Sequence, residues 1–131
     1  MPSFSNLKIY ASGIIGEIQS NGNNIITDCT NKGHIVICEN TDMILYCGGL
    51  IAYLYNSSIN NLTNSGKITV TNNTLSKMSE SLIYVYGIAT MLIPQGVTIG
   101  GTITNTETVT ASGNEGYTPK IGQYIGPAGM N

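Results

Sequence analysis

Charged side chains are scarce in this sequence. They make up 9% of its 131 residues, whereas a typical soluble domain has about 25%. All five cations are lysines, arginine and tryptophan are absent, and the formal net charge is −2. Without a basic cluster the chain has nothing to neutralise a phosphate backbone, so we expect no nucleic-acid partner.

Long apolar runs are also missing. The longest, such as GGLIAYLY from Gly48, falls far short of the roughly 20 residues that cross a bilayer, so no membrane span is expected. The first residues, MPSFSNLKIYASG, lack the cationic start and apolar core of a signal peptide. If the protein is exported, the given chain is a mature form or part of a longer protein.

The three cysteines, Cys29, Cys38 and Cys47, are evenly spaced and match no CxxC zinc or redox signature. An odd number cannot all pair within one chain. We interpret them as small apolar core residues, in line with the general preference of cysteine for burial. The sequence leaves open whether they are free or paired.

Repetition is what the sequence has in abundance. YASGIIGEIQ from Tyr10 returns as YCGGLIAYLY from Tyr46 and YVYGIATMLI from Tyr84. Between these copies, ITDCTNKGHIVI from Ile26 resembles INNLTNSGKITV from Ile59 and, more loosely, GTITNTETVT from Gly101. A unit of roughly 33 to 38 residues therefore recurs about three and a half times, as stacked repeat architectures do.

Within each copy the apolar pattern has a period of two, which predicts β-strands. We expect three short strands per unit, stacked as an all-β, right-handed parallel β-helix (β-solenoid) of about three to four coils. In this arrangement Tyr10, Tyr46 and Tyr84 face inward in one column, together with the column of Ile14, Leu50 and Ile88. An antiparallel β-sandwich also gives short alternating strands but does not predict equal residues at a fixed long spacing.

The domain prediction is one β-solenoid over residues 1–131. Residues 10–111 form its repeat region, and 112–131 form a partial coil or C-terminal cap. The glycines mark corners of the coil. Asn31 and Asn64 occupy equivalent turns, where stacking would bond their amides in a ladder.

The chain resembles the GLUG-motif repeats of bacterial surface and secreted proteins. GIIG from Gly13, GLIA from Gly49 and, more weakly, GIAT from Gly87 are similar to the glycine-bracketed half of that motif. TNKG from Thr30 and TNSG from Thr63 match its TNxG turn. The resemblance implies an extracellular or cell-surface stalk, spacer or adhesive module without catalytic residues.

No catalytic, cofactor or metal site is expected. His34 is the only histidine, and the spacing of the carboxylates does not bring them to it. It aligns with Lys67, which indicates a solvent-facing position. The seven carboxylates fall at unrelated positions of the repeat, unlike the clustered acids of solenoid enzymes that cleave polysaccharides.

A candidate interaction face lies opposite the predicted inward column. Alternation turns an apolar and aromatic set outward: Ile15, Ile51, Tyr53, Tyr55, Met91 and Ile93. Extended apolar patches are uncommon on monomers, so either another part of the chain or a partner should cover this face. The expected partners are neighbouring repeats or further copies of the protein, with surface carbohydrate as an additional candidate because tyrosines stack on sugar rings.

The function expected from these patterns is a non-enzymatic structural or adhesive repeat module of a cell-surface or secreted protein. One alternative is a self-assembling extracellular filament or sheath subunit. Another is a solenoid-type enzyme active on polysaccharides.

Overall fold

The chain coils into a stack of β-strands in the computed structural model, which describes residues 8–18, 24–39, 44–72, 82–91, 96–112 and 119–127. The first coil consists of β1 (Lys8–Ser12), β2 (Ile15–Glu17), β3 (Asn24–Asn31) and β4 (Ile35–Glu39). The second consists of β5 (Ile44–Gly48), β6 (Ile51–Tyr53), β7 (Ser57–Asn64) and β8 (Ile68–Asn72). The third consists of β9 (Leu82–Tyr86), β10 (Ala89–Met91), β11 (Thr98–Asn105) and β12 (Val109–Ser112). A partial fourth coil consists of β13 (Lys120–Gly122) and β14 (Ile125–Pro127).

Each strand pairs in parallel with its counterpart one coil away, which builds four sheets along the stack. Sheet A contains β1, β5, β9 and β13, and sheet B contains β2, β6, β10 and β14. Sheet C contains β3, β7 and β11, and sheet D contains β4, β8 and β12. This parallel pairing confirms the β-solenoid and excludes the antiparallel sandwich for the described residues.

The predicted register is confirmed for the tyrosine and asparagine columns, whereas between β6 and β10 it shifts by one residue, so that Tyr53 pairs with Thr90 and not with Met91. Tyr10 pairs with Tyr46 and Tyr46 with Tyr84, as the first repeat requires. In the second repeat, Asn31 pairs with Asn64 and Asn64 with Asn105. Identical residues therefore lie directly above one another.

The number of strands per coil differs from the expectation of three. The backbone bends at Gly13–Ile14, so the segment from Tyr10 that was predicted as one strand contains two, β1 and β2. We call this bend, together with its equivalents at Gly49–Leu50 and Gly87–Ile88, the glycine corner. At the first bend, the amides of Ile14 and Ile15 both donate to the carbonyl of Leu50, at 3.2 and 2.9 Å. Two successive residues thus share one acceptor, and the strict alternation of faces is interrupted there.

Two apolar clusters fill the interior. One lies between sheets B and C around the buried side chains Leu50, Ile51, Leu54, Ile59 and Leu62. The other lies between sheets A and D around Leu45, Cys47, Ile68, Val70 and Val85. Complete burial of such side chains stabilises the fold by about 1.5 to 3 kcal/mol each, so the middle coils hold most of this contribution.

A row of hydrogen-bonded side-chain amides, which we call the amide ladder, lies between the two clusters. Asn31 donates to Oδ1 of Asn64 at 2.8 Å, and Asn64 donates to Oδ1 of Asn105 at 2.8 Å. Asn105 in turn donates to Oε1 of Gln123 at 3.0 Å. This amide ladder confirms the predicted bonding between Asn31 and Asn64 and extends it by two members.

Glycines make room for the amide ladder. A Cβ on Gly49 would overlap the Gly87 carbonyl oxygen and lie 2.6 Å from Cγ of Asn64. Gly13 stands in the same relation to Asn31 and the Gly49 carbonyl. The glycine-bracketed and TNxG halves of the repeat therefore contact each other: the first glycine of each copy packs against the asparagine of the TNxG turn.

Sheet C contains a further bend that the sequence did not predict. Asp28 and Asn61 adopt positive φ angles of 58° and 56°, and Gly101 follows at 66° in the third coil. Asn and Asp tolerate this left-handed conformation better than most side chains. Asn61 links the coils by donating to Oδ1 of Asp28 at 3.1 Å and by accepting from the amide of Thr102 at 3.2 Å.

Candidate functional site

A column of stacked tyrosines lies on the outer face of sheet A, with its middle member, Tyr46, buried between its neighbours. Tyr10 and Tyr46 stack with their ring centroids 5.2 Å apart and an interplanar angle of 11°. Tyr46 and Tyr84 repeat the contact at 5.6 Å and 9°. In-register parallel pairing places equal residues one strand spacing apart, so the column follows directly from the repeat.

The tyrosine column faces outward, which corrects the prediction that it faces inward. On the same strands Leu45, Cys47 and Val85 are the residues that pack in the core. Because alternate residues of a strand point to opposite sides, their tyrosine neighbours lie on the outer face. Counting the alternation through the glycine corner, where two successive residues point the same way, produced the wrong assignment.

Tyr53 of sheet B packs against the tyrosine column of sheet A. Tyr53 of β6 lies 5.1 Å from Tyr46 and 6.3 Å from Tyr10 between ring centroids, tilted by 54° and 55°. The two sheets also meet between β9 and β14. A Cβ on Gly126 of β14 would overlap the ring of Tyr86, which is buried at the end of β9. Sheets A and B therefore meet in a concave corner lined with aromatic rings.

A shallow groove of about 330 Å³ opens beside this corner. It is lined by Glu17, Ile18, Tyr53 and Tyr55. Glu17 pairs with Tyr53 between β2 and β6, which sets the carboxylate beside the ring. The groove, which we call the tyrosine groove, combines two half-buried aromatic side chains, one aliphatic wall and one anionic group.

The hydroxyls of Tyr10, Tyr46 and Tyr53 are held in their protonated form. Burial and the Glu17 charge raise the pKa of Tyr53. Burial, the Glu17 charge and a hydrogen bond to its carboxylate likewise raise the pKa of Tyr10. Burial, with smaller contributions from Tyr10 and Tyr53, raises the pKa of Tyr46 to about 12. These hydroxyls are therefore neutral donors and acceptors at physiological pH.

The structure places only part of the predicted interaction face at the surface. Tyr53 and Tyr55 are half-buried and line the tyrosine groove. Ile51 and Met91, however, are 0% and 2% exposed and belong to the core, and Ile15 is half-buried against it. The glycine corner explains the error for Ile51, since Leu50 and Ile51 both pack inward there. Ile93 lies outside the described residues.

Sequence reasoning missed Glu17, Tyr10 and Tyr46 as members or supports of the site. The sequence did contain a signal for the core side of sheet A. Leu45 and Cys47, like Ile83 and Val85, are apolar residues two positions apart on the strand that precedes the glycine corner. This signal would have turned the tyrosines outward.

The cysteines and His34, the other residues considered for a site, do not form one with other metal-ligating side chains among the described residues. All three cysteines are free: Cys47 is buried, Cys29 is half-buried and Cys38 is exposed, so the core interpretation was wrong for Cys38. His34 is exposed, as predicted, but its Nδ1 also accepts a hydrogen bond from the Lys67 amide at 2.9 Å. Within the described ranges, no three His, Cys, Asp or Glu side chains are grouped to hold a metal ion.

Among the same residues there is no helix long and apolar enough to cross a membrane. Comparison of the chain with protein-family models, curated proteins and solved structures gives no match. The resemblance to GLUG-motif repeats therefore stays a prediction.

Proposed function

We propose that this chain is a non-enzymatic adhesive repeat module of a cell-surface or secreted protein, which holds surface carbohydrate in the tyrosine groove. The observation that carries the proposal is the groove itself, where Tyr53 and Tyr55 stand beside the Glu17 carboxylate. Aromatic rings supply apolar area together with a polar handle, and sugar rings offer both an apolar face and hydroxyl groups.

The geometry suits a rigid binding surface. Tyr53 is braced by Tyr46 and Tyr10, so little side-chain freedom remains to be lost when a ligand binds. The Glu17 carboxylate can accept hydrogen bonds from sugar hydroxyls, and the protonated tyrosine hydroxyls can donate or accept. A groove with a few fixed polar groups among apolar walls is typical of ligand sites.

The solenoid supports the structural part of the proposal. Coils that repeat the same residues at the same positions form a rod whose length grows with the number of coils. Such a rod displays the tyrosine groove at a fixed distance from its ends. An extracellular or cell-surface location is proposed with it.

Binding to an array of surface polysaccharides tests the proposal. Tyr53→Ala and Tyr55→Ala should each weaken binding by about tenfold or more, as expected for buried aromatic anchors. Ile25→Ala is the matched control, because Ile25 is a large apolar side chain that is 72% exposed and outside the groove. If the wild-type chain binds no polysaccharide, or both tyrosine variants bind like the control, the adhesive role is wrong.

A second candidate is a self-assembling filament or sheath subunit. It is favoured by the apolar side chains exposed at the two ends of the described stack, Ile14 and Ile121.

A further inference from the structure

The core columns stop abruptly at both ends of the described stack. Ile14, Leu50 and Ile88 occupy one position in successive coils, but their exposed fractions are 48%, 1% and 0%. At the other end Ile121 is 44% exposed, although Val85, its partner one coil below, is fully buried. Each end therefore presents apolar surface that a further coil would cover.

The hydrogen bonds of the glycine corner run in one direction along the stack. Gly13 donates to the Gly49 carbonyl and Gly49 to the Gly87 carbonyl, both at 3.1 Å. The amide ladder runs the same way and ends in Gln123, which accepts through Oε1. Among the described residues, none accepts from Nε2 of Gln123, and Oδ1 of Asn31 at the opposite end accepts only from the Gly33 amide. One end thus offers a donor, and the other offers an acceptor in the same column.

The tyrosine column carries opposite charges near its two ends. Lys120 pairs with Tyr84 and occupies the tyrosine position in the last coil. In the first coil the Glu17 carboxylate accepts a hydrogen bond from Tyr10. In-register continuation of the column would place a lysine ammonium beside a tyrosine ring and a carboxylate, which favours both cation–π and ionic attraction.

We infer that a second copy of this chain docks end to end, with β13 and β14 of one copy pairing in parallel with β1 and β2 of the next. Lys120 of the first copy then lies against Tyr10 and Glu17 of the second. Gln123 donates to Asn31 of the second copy, and Ile121 and Ile14 lose their exposure. Because the described residues of the last coil belong only to sheets A and B, the junction is formed by these two sheets. The inference rests on the second proposed function and specifies its register.

Charge reversal at each side of the junction tests this register. Analytical ultracentrifugation of the wild-type chain should show association that increases with protein concentration and decreases with salt. Lys120→Glu and Glu17→Lys should each weaken it on the order of tenfold. Lys67→Glu is the matched control, since Lys67 is an exposed lysine of the second coil away from either end, and it should associate like the wild type.

Mixing the two variants separates a lost junction from a damaged fold. In the mixture every junction can again join opposite charges, so K120E and E17K together should associate more strongly than either variant alone. A wild-type chain that stays monomeric at every concentration would overturn both assembly and the second proposed function. Association of both variants as strong as that of the wild type, or weakened association that mixing does not strengthen, would overturn this register while leaving assembly and carbohydrate binding standing.

Discussion

Asn31 donates a hydrogen bond from Nδ2 to Oδ1 of Asn64 at 2.8 Å, although the two residues are 33 positions apart in the chain. Each of the two asparagines also binds the backbone of its own turn, through the carbonyls of Gly33 and Gly66. One side chain therefore closes a turn and joins two coils. This double role explains how a polar residue can occupy the centre of an otherwise apolar solenoid.

Loss of the middle amide should destabilise the fold. Asn64 is 0% exposed and bonds Asn31, Asn105 and both backbone groups of Gly66. Asn64→Ala leaves buried donors and acceptors unpaired, so the free energy of unfolding should fall by about 3 kcal/mol. Urea denaturation measures the change. Asn60→Ala on the same strand is the control, because Asn60 is exposed. If both variants lose the same free energy of unfolding, the amide ladder does not stabilise the fold.

The glycine corner should tolerate no side chain. The Cβ of Gly49→Ala would overlap the Gly87 carbonyl oxygen and crowd Asn64, and relieving it requires backbone movement that costs about 1 to 3 kcal/mol. Gly100→Ala provides the comparison, since no atom lies within 4 Å of the added Cβ. Thermal unfolding followed by circular dichroism should separate the two variants. A Gly49→Ala protein as stable as Gly100→Ala would contradict the close packing of Gly49 against Asn64 and the Gly87 carbonyl.

The fold should weaken in alkali. Burial raises the pKa of the Cys47 thiol from 9.0 to about 12, and mainly burial raises that of Tyr46 from 10.0 to about 12. Well below pH 9.0 both groups are protonated in both states, so they do not make the stability depend on pH. As the pH rises towards 12, the unfolded chain loses protons that the native chain retains, which favours unfolding.

Urea unfolding near pH 8 and at about pH 11 measures this loss of stability. Tyr46→Phe and Cys47→Ala remove the titrating groups, so each variant should show a smaller loss over the same interval than the wild type. If the double variant loses as much stability as the wild type, other groups cause the alkaline weakening.

The exposed and the buried thiol should react at different rates. The exposed Cys38 should be alkylated readily in the native protein, whereas the buried Cys47 should react only when the chain unfolds, because the reagent needs an accessible thiolate. Peptide mass spectrometry after brief treatment with iodoacetamide, with and without urea, measures both. Native labelling of Cys47 as fast as that of Cys38 would indicate that β5 faces the other way.

The parallel stack and its register could be predicted because the repeated residues themselves pair. Tyr10 with Tyr46 and Asn31 with Asn64 were assigned from sequence identity alone, and the structure joins the same pairs. Equal residues in equal surroundings satisfy the same packing in every coil, so the repeat contains the register directly.

Which side of a strand faces the core was harder to predict. Alternation defines two faces but does not say which is inside, and at Gly49 the backbone interrupts the alternation. Leu50 and Ile51 both pack inward as a result, so the predicted outward position of Ile51 was wrong. The same interruption reversed Tyr46. The contacts of Tyr53 with Tyr46 and Tyr10 depend on how sheets A and B meet, and that angle is a tertiary property.

All four sheets share one mechanical property that follows from their parallel pairing. The hydrogen bonds between coils lie along the axis of the rod, so a pulling force on its two ends loads the layers of bonds in series, and one layer breaks at a time. The rod should then lengthen in steps, each freeing one unit of roughly 36 residues and adding roughly 12 nm of extended chain. A surface protein built from such units would absorb tension by shedding coils from an end while the remaining coils keep their shape.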